Sequence, residues 1–348
     1  MSMNDILENR TNSFLDYVKA ILAIMVVALH AIVFPDYTFP WLSLAVPLFF
    51  IMSSYFFFAK QNRIDNDIER HEAYKKYIQR NFMFYIFWFL VLLPATIFLR
   101  KSWFENGILW AIGRVIKGFL FNGTFMASWF IMALIIGITI IYYSAKKLSN
   151  KKLFYITGLI YAVVCLRCSY YPLIISTFPW IEVLVNSIES ITAEPMSNFV
   201  FALFWLTCGK CFADGTFEKF EDNRFITGII TVLSALLLWI EWEYCKGIMT
   251  KFHLAALFLM APTLIGLFAI LKNINFYRPY SLCIRKFSTI TYGVHATALT
   301  FISAALKRTI GFSELRQFVI GVMFCILLTA IIIRLEKQKH FKWLRYAY

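Results

Sequence analysis

The sequence predicts an all-α membrane protein, a polytopic bundle of about ten transmembrane helices with both termini in the cytoplasm. Of its 348 residues, 60% are hydrophobic and only 16% are charged, whereas charged residues make up about 25% of a soluble domain. The mean hydropathy is +0.67. This composition excludes a water-soluble globular protein, a disordered chain and a nucleic-acid-binding module. No internal repeat or low-complexity linker divides the sequence, so residues 1–348 are expected to form one membrane domain.

Apolar segments of membrane-spanning length alternate with polar loops along the chain. A hydrocarbon core of about 30 Å needs about 20 helical residues at a rise of about 1.5 Å each. The segments that meet or approach this length are 14–34, 41–59, 81–99, 127–145, 153–167, 198–213, 225–241, 252–271, 287–306 and 316–333. We therefore predict about ten spans.

Basic residues in the loops predict the orientation. The chain has 34 Lys and Arg, and with the N-terminus in the cytoplasm 24 of them fall on the cytoplasmic side and 10 outside, as the positive-inside rule requires. Segment 107–126 would reverse this bias if it spanned the membrane, and Arg114 and Lys117 lie in its middle. We therefore interpret it as an interfacial or re-entrant segment on the outer side. Segment 168–197 is likewise expected to be extracytoplasmic.

The first span carries ionisable side chains on one helical face. Such residues are costly inside a membrane, so each is a functional candidate. Lys19 and His30 are eleven positions apart, which is about 20° past three full turns and about 16.5 Å along the axis. Asp16 lies close to the same stripe. One alternative stays open at this point: Lys19 reaches the headgroups, and His30 is a hydrogen-bonded polar residue between helices.

Two motifs resemble a known family. The run FLDYVKAILAIMVVALHA (14–31) is similar to the opening helix of the membrane acyltransferase 3 family, in which ten residues separate a basic residue from a histidine after a Leu-Asp. The run VPLFFIMSSYFFF (46–58) is similar to the second helix of that family. Weaker similarities follow in order as far as residue 299, so the resemblance covers nearly the whole chain.

Four positions, two of them in the ninth span, depart from the family pattern. Lys19 stands where most relatives have Arg, so the charge remains but the bidentate guanidinium is lost. Ser54 replaces a Gly that permits a turn or a close approach of helices. In the ninth span, His295 falls at the position of an aromatic residue and Ala298 at that of a histidine. The family therefore assigns no role to His295, which is kept as a candidate for a second site.

The resemblance implies an enzyme that transfers an acyl group, usually acetyl and sometimes succinyl, from cytoplasmic acyl-CoA to a hydroxyl of an extracytoplasmic glycan. It implies a multi-pass protein of the bacterial inner membrane that uses acyl-CoA as co-substrate and no metal. His30 is the implied catalytic residue, either as general base or as acyl carrier. The other candidates are Lys19, Lys75, Lys76, Arg80 and Ser53 for acyl-CoA, Arg114, Lys117, Trp129 and His295 for the acceptor, and Asp16 for positioning Lys19 through a local ion pair.

A transporter or flippase for a glycan or a small polar solute is the alternative function. Such proteins usually carry carboxylates near the membrane midplane on broken helices, whereas Glu241 and Glu243 lie at a helix end. Two Cys-x-x-Cys pairs, starting at Cys165 and Cys208, contain enough thiolates for a zinc site. The predicted topology places them at opposite membrane faces, so a shared metal is not expected. The acceptor glycan, the acyl length and the oligomeric state are left open by the sequence.

Overall fold

The computed structural model describes residues 13–119, 128–191, 198–248, 256–274, 281–309 and 311–348. Every regular element in these ranges is a helix, which confirms the all-α class. The α-helices are α1 (Ser13–Ala31), α2 (Phe39–Ser43), α3 (Ala45–Gln61), α4 (Asp67–Leu99), α5 (Ile108–Lys117), α6 (Trp129–Ser144), α7 (Asn150–Cys168), α8 (Tyr171–Thr177), α9 (Trp180–Ile191), α10 (Phe199–Ala213), α11 (Glu218–Asp222), α12 (Arg224–Ile248), α13 (Met260–Lys272), α14 (Ser281–Arg308) and α15 (Glu314–Leu335).

Six helical segments in the described ranges are long and apolar enough to cross a membrane. They are Phe14–Ala31, Asp36–Gln61, Asp67–Leu99, Arg224–Ile248, Leu282–Arg308 and Glu314–Leu335. Helices α7 and α8 form a seventh candidate if taken as one span, which is bent by 77° at the break between them. Helices α6, α10 and α13 are apolar but shorter. The structure therefore supports a multi-pass membrane protein, while the count of about ten spans and the cytoplasmic termini stay predictions.

Polar side chains fix the starts of three helices. Asn66 accepts hydrogen bonds from the backbone N–H groups of Ile68 and Glu69 at the start of α4, at 2.8 and 3.4 Å. Ser149 and Asn198 cap α7 and α10 in the same way. A cap of this kind satisfies N–H groups that have no partner inside the helix. These caps mark where α4, α7 and α10 begin, and α4 begins within the polar stretch that precedes the apolar segment 81–99.

Loops that follow α3, α6 and α10 meet at one end of the bundle. The Asn62 amide donates to one carboxylate oxygen of Asp214 at 2.8 Å, and the Asn150 amide donates to the other at 2.8 Å. Lys246, in the last turn of α12, forms an ion pair of 3.5 Å with Asp36, which precedes α2. The predicted topology places the loops of Asn62, Asn150 and Asp214 on the cytoplasmic side. It places Lys246 and Asp36 on the outer side. Each of these contacts joins segments that share a predicted side.

Helices α4 and α6 are antiparallel neighbours. The Tyr74 ring near the start of α4 stacks on the Tyr142 ring near the end of α6, with centroids 4.3 Å apart, and the Tyr74 hydroxyl donates to Thr139 at 3.0 Å. The chain therefore leaves α4 and enters α6 at the same end of the bundle. Between them, α5 has ten residues, about 15 Å of helix and half the thickness of a hydrocarbon core. This geometry supports an interfacial or re-entrant segment; residues 120–127 lie outside the described ranges.

Helices α3 and α10 approach each other closely at Gly209. A Cβ on Gly209 would lie 2.3 Å from the carbonyl oxygen of Ile51 and 2.7 Å from the Cβ of Ser54, so only glycine permits the observed spacing. Ser54 is fully buried, and its hydroxyl donates to the carbonyl oxygen of Leu206 at 2.5 Å. The close approach that the family pattern associates with a glycine at position 54 is provided here by Gly209 on the facing helix.

Candidate active site

A cavity of about 1150 Å³ opens where α1, α3, α4, α6 and α14 meet. We call it the basic cavity, because cations outnumber carboxylates in its lining. Its cationic residues are Lys19, Lys60, Lys76, Arg80, Arg285 and Lys286. Its carboxylates are Asp16, Glu69 and Glu72. Apolar and aromatic side chains of α3, α4 and α6 complete the walls, so the cavity suits a polyanion that carries a less polar arm.

An ion pair at the wall of the basic cavity joins α1 to α14. Asp16 is 1% exposed and accepts hydrogen bonds from Arg285 at two atoms, Nε at 3.0 Å and Nη2 at 2.8 Å. The ammonium group of Lys19 lies 4.3 Å above the centre of the Phe56 ring. Asp16 therefore forms a two-point ion pair with Arg285, while the positioning of Lys19 by Asp16 stays a prediction. A planar guanidinium fits both carboxylate oxygens at once and forms the stronger contact.

The residues predicted for acyl-CoA separate into two groups. Ser53, Lys19, Lys76 and Arg80 line the basic cavity. Lys75 does not line it; its ammonium group is exposed and pairs with Glu72 at 3.0 Å. Neighbouring residues of a helix point about 100° apart, so Lys75 and Lys76 face different directions. Lys76 and Arg80 both face the basic cavity, where an anionic ligand would meet them.

A second cavity, of about 420 Å³, lies between α1, α14 and α15. We call it the His30 cavity. Its lining residues are His30, Ala296, Leu299, Thr300, Ser303, Ala304, Lys307 and Gln317. His30 is exposed, and the Gln317 amide donates to the carbonyl oxygen of Leu299 at 2.9 Å, which holds α15 against α14. The lining combines a titratable imidazole with hydroxyl and amide groups that suit a polar ligand.

His30 and His295 lie side by side. Their ring centroids are 5.1 Å apart with the planes inclined by 47°. His295 is 1% exposed, and its Nδ1 lies 3.0 Å from the carbonyl oxygens of both Thr291 and Tyr292. Its Nε2 is buried and has no hydrogen-bond partner in the described part of the chain. The structure thus brings together two histidines that are 265 positions apart in the sequence.

A thin layer separates the two cavities. On α14 the lining of the basic cavity ends at Tyr292 and that of the His30 cavity begins at Ala296, which is about one helical turn or 6 Å. The Tyr292 ring packs against Phe130, with centroids 4.9 Å apart, and lies 6.0 Å from the His295 ring.

The other residues predicted for the acceptor lie elsewhere. Arg114 stacks over the Trp110 ring of α5 at 4.5 Å, and Lys117 ends that helix. Trp129 packs against Phe50 with centroids 6.0 Å apart. None of the three predicted residues lines the basic cavity or the His30 cavity.

Sequence reasoning missed Arg285, Lys286, Lys307 and Gln317 as cavity residues. The signal for the first two was the basic pair directly before the ninth apolar segment. Lys307 and Gln317 carried no distinguishing signal, because polar residues at the ends of two separate spans look like ordinary loop residues. Their common location follows only from the packing of α14 against α15.

Metal ligands do not cluster in the structure. Across the described ranges, no group of three or more His, Cys, Asp or Glu side chains could hold a metal ion. All seven cysteines are free thiols.

These observations define a multi-pass membrane protein. A basic cavity lies near the start of α1, and a pair of histidines lies near the end of the same helix. The chain belongs to the acyltransferase 3 family, since the family model, described as an acyltransferase domain, matches residues 12–334. This confirms the resemblance seen in the sequence. Family membership supports a membrane acyltransferase that uses an acyl donor.

Two curated relatives carry different names. The chain is 25% identical over 230 residues to an amino-acid racemase of Enterococcus faecalis, covering 63% of the chain and 30% of that protein. It is 24% identical over 264 residues to a serine/alanine racemase of Enterococcus gallinarum, covering 73% of the chain and 36% of that protein. The chain thus spans about a third of the length of these relatives. No solved structure gives a significant match.

Proposed function

We propose that this protein is an O-acyltransferase of a bacterial inner membrane. It moves an acyl group, acetyl in the simplest case, from cytoplasmic acyl-CoA in the basic cavity to a hydroxyl of an extracytoplasmic glycan in the His30 cavity. The observation that supports this proposal is the arrangement of two cavities on either side of the layer that holds Tyr292 and His295. One cavity suits a polyanionic donor, and the other offers an imidazole to a polar acceptor.

The basic cavity has the charge that acyl-CoA requires. The phosphates of CoA carry several negative charges, and phosphate oxygens accept strong hydrogen bonds from Lys and Arg. Lys60, Lys76 and Arg80 face the cavity from α3 and α4. Lys19 lies deeper, and from there the thin pantetheine arm has about 16.5 Å to cover along α1 before its thioester reaches His30. The phosphates thus stay at the cytoplasmic end while the thioester enters the layer.

The proposed chemistry uses His30 as a general base. A neutral imidazole takes the proton of an acceptor hydroxyl as the hydroxyl oxygen bonds to the thioester carbonyl carbon. The carbon–sulfur bond then breaks, and the CoA thiolate leaves and takes up a proton. An alternative route, in which the His30 nitrogen first accepts the acyl group and then passes it to the hydroxyl, gives the same overall reaction. Both routes require His30 to be reached by the donor and the acceptor.

Donor use is tested with purified protein, radiolabelled acetyl-CoA and detection of the released CoA thiol. His30→Ala should abolish release, whereas His340→Ala, at an exposed site in the C-terminal segment, should not. Lys76→Ala should raise KM for acetyl-CoA by about tenfold, the loss of one charge-assisted contact. Lys151→Ala is the matched control, because this exposed lysine lies outside the lining of the basic cavity. Full activity of His30→Ala would contradict the assignment of this residue.

The acceptor is tested on cells with and without the protein. Mass spectrometry of the cell-surface polysaccharide should show an acyl modification only when the protein is present. The relatives are named as racemases of amino acids, including serine, so serine, which carries a hydroxyl, belongs in the same panel as a soluble acceptor. Their racemase activity belongs to much longer chains and is not proposed here. If serine gains the acyl label and the polysaccharide stays unmodified, the acceptor is an amino acid and not a glycan.

The second candidate is a transporter, which the opposed cavities also favour. Translocation would use the layer at Tyr292 as a gate without acyl chemistry. The buried carboxylate of Glu241 is unsuited to bind a coupling ion, because it accepts hydrogen bonds from Tyr170 at 2.7 Å and from the N–H groups of Phe258 and Leu259 at 2.8 Å each. Solute flux into liposomes without acyl-CoA, together with no release of CoA thiol, would establish the transporter and exclude the transferase.

A further inference from the structure

The hydrogen bonds of His295 determine where its proton lies. Nδ1 stands 3.0 Å from two backbone carbonyl oxygens, those of Thr291 and Tyr292. Carbonyl oxygens only accept hydrogen bonds, so Nδ1 must carry the proton. In the neutral ring Nε2 then holds a lone pair. This atom is buried without a partner in the described ranges, and a buried acceptor of this kind normally has a donor.

His30 is placed to supply that donor. Two imidazoles joined by a hydrogen bond of about 3 Å between nitrogens have centroids roughly 5 Å apart, since each nitrogen lies about 1 Å from its own centroid. The observed centroid distance is 5.1 Å. The two helices are held in register by the Asp16–Arg285 pair at one end and by their packing along α1 and α14. The two rings are therefore close enough for one hydrogen bond between their nitrogens.

We propose that His295 is a positioning residue that selects the tautomer of His30. The His30 nitrogen that faces His295 carries the proton and donates it in a hydrogen bond to Nε2. The opposite nitrogen of His30 then keeps its lone pair and faces the His30 cavity. This inference deepens the proposed function, on which its catalytic meaning rests: a base needs its lone pair on the side of the substrate hydroxyl.

The proton balance is simple. The acceptor hydroxyl gives its proton to the free nitrogen of His30 while its oxygen bonds to the thioester carbonyl carbon. When the carbon–sulfur bond breaks, the CoA thiolate takes that proton from His30. His295 keeps its own Nδ1 proton throughout and holds the imidazolium by accepting its second N–H. The sequence predicts His295 as a residue that binds the acceptor. It lines neither cavity, so in this proposal it acts through His30 instead.

Two substitutions separate this role from a structural one. His295→Asn keeps an amide near the Nδ1 position, where it can still donate to the helix carbonyls, but it has no atom near Nε2. His295→Gln extends an amide oxygen towards the Nε2 position and can accept from His30. We expect kcat for CoA release from acetyl-CoA to fall by about 10–100-fold in His295→Asn, as for other orienting partners of histidine. His295→Gln should recover most of it, and KM for acetyl-CoA should stay unchanged in both.

The tautomer itself is measured by nitrogen NMR on protein with ¹⁵N-labelled histidine, with His30→Ala used to assign the signals. Wild-type protein should show one neutral tautomer of His30, and His295→Asn should show both. A wild-type His30 that populates both tautomers, or a single tautomer that survives in His295→Asn, would overturn the proposal. If the tautomer of His30 depends on His295 but the protein does not turn over acetyl-CoA, the positioning role of His295 is supported. The proposed transferase activity is then rejected. The two ideas therefore fail separately.

Discussion

Gly209→Ala is a sharp test of the helix contact that supports the basic cavity. Alanine stabilises a helix interior by roughly 0.5–1 kcal/mol relative to glycine. At Gly209 the added Cβ would lie 2.3 Å from the Ile51 carbonyl oxygen, 2.7 Å from the Ser54 Cβ and 2.9 Å from the Tyr55 nitrogen. None of these atoms is the end of a flexible side chain, so α3 has to move away from α10.

The effect of Gly209→Ala on stability depends on two opposing contributions, the cost of overpacking and the gain in helix propensity. Overpacking of a tight core contact costs about 1–3 kcal/mol, which exceeds the gain in helix propensity. We therefore expect Gly209→Ala to destabilise the protein by roughly 0.5–2 kcal/mol. Ser53, next to the contact, lines the basic cavity. The displaced helix should consequently weaken acetyl-CoA binding and raise its KM as well.

Gly228→Ala on α12 is the matched control, because a Cβ there would have no other atom within 4 Å. It should be neutral or stabilising by up to about 1 kcal/mol. The measurement is thermal unfolding of both variants in detergent, followed by tryptophan fluorescence, since the fully buried Trp205 lies on α10. If Gly209→Ala unfolds at the same temperature as Gly228→Ala, the close approach of α3 and α10 is not as described.

Three further predictions follow from the polar contacts. Asp16→Asn should cost about 1–2 kcal/mol in thermal stability, because Arg285 loses its anion but is partly exposed and can turn to water; an Arg285→Gln background should abolish most of that cost. Burial alone would raise the pKa of Asp214, but hydrogen bonds from Lys210 and two asparagines hold it below the ordinary 3.8, so the stability difference between wild type and Asp214→Asn should be full above about pH 4 and shrink below it. A reporter fused after Tyr348 should fluoresce as green fluorescent protein and be inactive as alkaline phosphatase if that end is cytoplasmic; the opposite pattern would contradict the predicted orientation.

Features that depend on one helix at a time could be predicted from the sequence. Hydropathy and composition were enough for the all-α membrane class, because a span of about 20 apolar residues has few other uses. The 100° step of an α-helix was enough to place Lys19 and His30 on one face of α1. The same step explains why Lys76 lines the basic cavity while Lys75 does not, although the prediction treated the two alike.

Features that depend on contacts between distant helices could not be predicted. Asp16 and Arg285 are 269 positions apart, and a closer cation at position 19 made a local pair the simpler expectation. The pairing of His30 with His295 depends on how α14 is rotated about its axis. A shift of three residues, from the family histidine position at Ala298 to His295, rotates a side chain by about 60° and moves it about 4.5 Å. Only the packing of α1 on α14 decides which of these two positions faces His30.

The packing of α1 on α14 also explains how the protein accommodates a lysine at position 19, where most relatives have arginine. A lysine there lacks the planar group that binds a carboxylate through two hydrogen bonds. In this protein Arg285 provides that group from α14 and occupies both oxygens of Asp16. Lys19 lies over Phe56 in the basic cavity and remains within the electrostatic influence of Asp16. Arg285 therefore holds α1 against α14, and Lys19 is the cation that faces the donor. Each of these two cations can be removed without removing the other.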